Sequence, residues 1–79
     1  MFRFQEGKTY LINGGGRVTI TKRTAHYVVI DGTNRSGMHV TGRKKIYEDN
    51  LFGLGEHINI ESFWGPAMHY FCFAGHVSE

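Results

Sequence analysis

The chain has 79 residues, nine Lys and Arg against seven Asp and Glu, and a formal net charge of +2. A chain of that length holds one domain and buries only about 60% of the surface its unfolded form exposes, so the core is small. The single cysteine, Cys72, excludes an internal disulfide, and a small disulfide-free domain fits a reducing compartment.

Charge is unevenly spread. Residues 17–45 carry seven basic side chains (Arg17, Lys22, Arg23, Arg35, Arg43, Lys44 and Lys45) against Asp31, while the flanking residues are net acidic. Such asymmetry steers a polyanion toward one face. The opening MFRFQEGKTY lacks the apolar run of a signal peptide, and the longest apolar stretches, YVVI and YFCFA, fall far short of the ~20 residues that span a bilayer. A cytoplasmic location without a membrane partner is expected.

In chain order, KTYLIN (8–13) alternates weakly and stops at Asn13-Gly14-Gly15-Gly16, a turn signal. RVTITKR (17–23) sets Val18 and Ile20 opposite Thr19 and Thr21, and HYVVID (26–31) is apolar on both sides. Lys22–Ala25 between them reads as a solvated hairpin tip. GTNRSG is a loop. MHVTGRKKIY (38–47) puts Met38, Val40 and Ile46 on one face and His39, Thr41, Arg43, Lys45 and Tyr47 on the other, with Gly42 marking a bulge or bend. EDNLFGLG (48–55) is a loop, EHINI (56–60) pairs Ile58 with Ile60, SFWGPAM (62–68) is irregular, and HYFCFA (69–74) is a closing strand. Helical periodicity is poor throughout. Five or six short strands predict a small barrel or two packed sheets, in an all-β domain spanning residues 1–79.

The succession GKTY, VTITKRTAHYVVIDG, GRKKIYED, GEHI and GPAMHYFCFAG resembles a group of short proteins of phages, plasmids and conjugative elements of Gram-positive gut bacteria. The matching positions are Gly7, Lys8, Tyr10, Val18, Arg23, Thr24, Ala25, Val28, Ile30, Gly42, Arg43, Lys45, Ile46, Gly55 and Glu56. The tail departs from the group's usual ending, and residues 33–38 look inserted. The resemblance implies a small SH3-like barrel of about five antiparallel strands and an accessory protein in the cytoplasm of a bacterial host. It assigns no chemistry.

Several chemical patterns can be weighed. Gly7-Lys8-Thr9 echoes the end of a phosphate-binding loop, but Phe2 stands where the first glycine belongs and no strand precedes it. His69, Cys72 and His76 have metal-type spacing, yet a structural zinc site needs a fourth ligand, and strand geometry sends His69 and Cys72 to opposite sides. Cys72 in YFCFA lacks the electropositive, open setting of a reactive thiol, and no paired-carboxylate signature is visible. The expectation is therefore a non-catalytic protein with no metal and no cofactor.

The basic constellation is the strongest signal. Lys22, Arg23, Arg43, Lys44 and Lys45, interleaved with Tyr27 and Tyr47, suit a nucleic-acid backbone with bases stacked on rings. The bland alternative is a solvated face with cations guarding strand edges. A second functional expectation is an inhibitor of a host defence system, of the anti-CRISPR type, touching a nucleic-acid-bound bacterial protein or its guide RNA with Phe63 and Trp64 as anchors.

Overall fold

The computed structural model describes residues 1–61 and 69–78. Among these residues six strands run in chain order: β1 Thr9–Ile12, β2 Gly16–Arg23, β3 Tyr27–Asn34, β4 His39–Lys45, β5 His57–Glu61 and β6 His69–Val77, with a 3-10 turn at Leu51–Gly53 before β5. They form one antiparallel sheet in the order β4-β3-β2-β1-β6-β5. Its two ends meet at Tyr47 and His57, which exchange backbone hydrogen bonds of 2.8 and 2.9 Å. The result is a nearly closed small barrel of the SH3-like kind, whose six strands are the upper of the five or six expected from the sequence.

Alternation fills the barrel. Tyr10, Ile12, Val18, Ile20, Val28, Ile30, Ile58, Ile60 and Cys72 are all buried, and Phe4, Ile46 and Ala74 complete the cluster. Phe4 meets the Tyr10 ring edge-on at a centroid distance of 4.9 Å. At about 25 cal/mol per Å² of apolar area buried, this interior drives folding.

One irregularity decides which side chains point where. In β2, Ile20 pairs with Ile30 but Lys22 pairs with Val29, so Thr21 is an extra residue. Simple alternation would send Lys22 inward with Val18 and Ile20. The bulge inverts the phase after Ile20, so Lys22 faces solvent and Arg23 faces the end of the barrel. Gly42 does not insert a residue: its φ of +114° bends β4 while the register with β3 stays continuous through the Gly42–Ile30 pair.

Arg23 is therefore not a solvated tip charge. Its guanidinium forms a two-pronged pair with Glu56, at 2.5 Å (Nη1 to Oε1) and 2.7 Å (Nη2 to Oε2), and donates to the Phe4 carbonyl at 3.0 Å. The Phe4 N–H in turn donates to Glu56 Oε1 at 2.8 Å. The Arg23 and Glu56 side chains are 15% and 1% exposed, so the pair plugs one end of the barrel beneath the N-terminal segment. Gly55 makes this closure possible: its φ is +78°, and a Cβ there would lie 2.3 Å from the Phe2 carbonyl oxygen.

Candidate nucleic-acid interface

Register places the candidate residues. Across β2, β3 and β4, Lys22, Val29 and Arg43 are partners in one row, and Tyr27 and Lys45 are partners in the next. Both rows face outward. Arg43, Lys45 and Tyr47 are successive outward positions along β4 and its extension.

The cations and rings are already matched. The Arg43 guanidinium lies 4.6 Å from the centre of the Tyr27 ring, and the Lys45 ammonium lies 5.5 Å from that of Tyr47. Such contacts hold flexible basic side chains over aromatic faces and keep their heads near solvent. Tyr27 and Tyr47 are 38% and 42% exposed, enough for each to keep a reachable surface. Beneath Tyr47 the buried His57 ring stacks at 5.2 Å and 17°. His57 Nδ1 lies 3.1 Å from Asp49 Oδ1, but out of line for a hydrogen bond. Lys22, Thr24, Tyr27, Val29 and Arg43 enclose a shallow recess of about 270 Å³ with no carboxylate in its wall.

The structure thus gathers Lys22, Tyr27, Arg43, Lys45 and Tyr47 on one outer face. It separates two others from it. Arg23 is held by Glu56, and Lys44 shares the inner row of Val28, half-buried at the barrel end. Lys44 is adjacent to Arg43 and Lys45 in sequence, but neighbours in a strand point to opposite sides. Phe63 and Trp64 lie outside the described residues. Sequence reading did not single out Val29 as the floor of the recess; the signal that finds it is the hairpin register, which sets Val29 between Lys22 and Arg43.

The titratable groups of the interior serve the architecture. Burial alone would raise the Glu56 carboxyl, but the Arg23 guanidinium and the Phe4 N–H outweigh it and hold the group below the usual carboxylate range. The hydrogen bond to Glu56 pushes Arg23 up. Burial also raises Tyr10, against the opposing effect of its hydrogen bond with the Gln5 N–H. Burial pushes the Cys72 thiol up to about 12, so it is a packed apolar group at neutral pH. Among the described residues no three His, Cys, Asp or Glu side chains converge as metal ligands.

Comparison with known proteins returns no matching family model, no similar curated sequence and no similar solved structure. The functional reading therefore rests on the residues of this chain.

Proposed function

We propose that this protein is a non-catalytic nucleic-acid-binding module, of the accessory kind carried by mobile elements, that holds its ligand on the outer face of β2, β3 and β4. The observation that carries the reading is the convergence of Lys22, Arg43 and Lys45 with Tyr27 and Tyr47 on one face around a recess free of carboxylates. Cations neutralise phosphates and release counterions, which gives affinity without sequence reading. Three such contacts give weak binding, with a dissociation constant on the order of micromolar or above at physiological salt.

The test is fluorescence anisotropy with labelled oligonucleotides across a salt series. Three phosphate contacts set a slope of log K against log salt of about −2 for a single strand. Arg43→Ala and Lys45→Ala should each reduce that slope by about 0.7. Arg17→Ala, on an exposed position of β2 away from the recess lining, should leave it unchanged. Absence of binding to any oligonucleotide at low salt refutes the proposal.

A further inference from the structure

We infer that the recess between Lys22 and Arg43 seats one unpaired base, and that the strand held on this face is single-stranded DNA. The inference rests on the nucleic-acid reading above and narrows it.

The recess has three kinds of wall. Val29, half-buried and apolar, lies between Lys22 and Arg43 in the register and forms its floor; the Tyr27 ring and Thr24 line it as well; Lys22 and Arg43 supply its charged rim. Phosphate contacts need only the rim. An apolar floor beside an aromatic side gains free energy only from a group that is itself flat and poorly hydrated on its faces, as a nucleobase is. At about 270 Å³ the recess falls just below the ~300–1,000 Å³ of small-molecule pockets, a size that suits a single heterocycle.

A duplex keeps its base faces stacked and its edges inside the grooves, where a helix or a projecting two-stranded ribbon must enter to reach them. Here β2 and β3 are flanked by β1 and β4, so the β2–β3 hairpin does not project as a ribbon along its length. A single strand presents its bases without that requirement. Arg43, Lys45 and Tyr47 repeat along one side of β4 at about 7 Å, the two-residue repeat of a strand. A strand laid along this line meets a cation, a second cation and a second ring in succession. Its first base enters the recess beside Tyr27, with the Arg43 guanidinium, which lies 4.6 Å from that ring's centre, swinging from the ring to a phosphate, and a following base reaches Tyr47. The Val29 floor adds an apolar contact for the C5-methyl group of thymine, which uracil lacks, and this favours DNA over RNA.

The experiment compares four labelled probes of about a dozen nucleotides, within the site-size range of small single-strand binders. They are oligothymidylate, oligouridylate, a duplex, and an abasic strand with the same phosphates and no bases. Oligothymidylate should bind most tightly, and the abasic strand roughly tenfold or more weaker, because base–aromatic stacking is lost. The duplex should bind less tightly despite its higher charge density, the reverse of what counterion release alone dictates. Oligouridylate should bind a few-fold more weakly. Tyr27→Ala should weaken oligothymidylate roughly tenfold and the abasic strand much less, with far-ultraviolet circular dichroism confirming the fold. Equal affinity for abasic and base-bearing strands overturns the base-seating inference while leaving a phosphate-binding face in place, and equal affinity for oligouridylate overturns the assignment to DNA. Failure of every probe to bind at low salt refutes the nucleic-acid reading itself.

Discussion

Replacing Arg23 with Met tests the barrel-end plug most sharply. The substitution removes two charge-assisted hydrogen bonds, at 2.5 and 2.7 Å, from a carboxylate that is 1% exposed. Only the Phe4 N–H at 2.8 Å remains close, because Arg3, the other cation, sits 3.8 Å away on a side chain that is 64% exposed. Deleting one partner of a buried pair costs about 3–5 kcal/mol, and the partial exposure of Arg23 puts this case near 3. With a urea slope of about 1 kcal/mol per M for so small a domain, the unfolding midpoint should fall by about 3 M at neutral pH. The double variant R23M/E56Q removes the stranded charge while keeping an acceptor for Phe4, and it should be more stable than R23M alone by more than about 1 kcal/mol. The pH dependence separates the variants again. In the wild type the folded carboxyl is held below its ordinary 4.5, so its contribution is fully present above that value and is lost as pH falls through the lowered one. In R23M the Arg23 contribution is gone, burial outweighs what remains from the Phe4 N–H and the more distant Arg3, and the folded value rises, so moderate acidification from pH 7 to about 5 should stabilise that variant. An R23M protein within about 1 kcal/mol of wild type, or one destabilised by the same mild acidification, refutes the buried-pair reasoning.

Two further outcomes follow from single positions. Gly55→Ala should lower stability by about 2 kcal/mol or more in urea titration, because a Cβ there meets the Phe2 carbonyl at 2.3 Å on a backbone with φ of +78°; a loss under about 0.5 kcal/mol contradicts that close approach. Cys72, fully buried with its thiol pushed up to about 12, should resist a thiol-reactive disulfide reagent at pH 8 and react fully in denaturing urea; fast labelling of the native protein refutes its place in the core.

The strand succession was legible because each run ends at residues that turn the chain, and because the inward positions of β2, β3 and β5 are apolar at period two. The phase change in β2 was not. Thr21 is an ordinary strand former, and nothing in TITKR marks it as extra; only the change of partners, from Ile20–Ile30 to Lys22–Val29, reveals it. That single residue moved Arg23 from the surface to the interior and Lys22 the other way. Lys44 illustrates a different gap. Its place opposite Val28 follows from the alternation that put Val40 and Ile46 inside, and grouping it with Arg43 and Lys45 by adjacency overrode that pattern. His57 and Phe73 show the limit of alternation itself: they are cross-strand partners on the side away from Ile58 and Cys72, yet each is only 4% exposed.

Positions in this chain divide by what the fold asks of them. Tyr10, Val18, Val28, Ile30 and Ile46 fill the core, Arg23 and Glu56 form the plug, Gly42 bends β4, and Gly55 admits the Phe2 backbone. Each has a stability role that accounts for its residue type. Arg43 and Lys45 do not: both are exposed, neither forms an ion pair among the described residues, and a single cation–π contact at an exposed site is worth only about 0.5–1 kcal/mol. A threonine or glutamine at either position would satisfy the outer side of a strand equally well. What the fold does not require of these residues is their positive charge, and that charge is what the phosphate-binding proposal uses. The same division says where variants should separate. Changes at Arg23, Glu56 or Gly55 should act on stability and leave the binding of the surviving folded protein alone, whereas changes at Arg43 or Lys45 should act on the salt slope at constant stability.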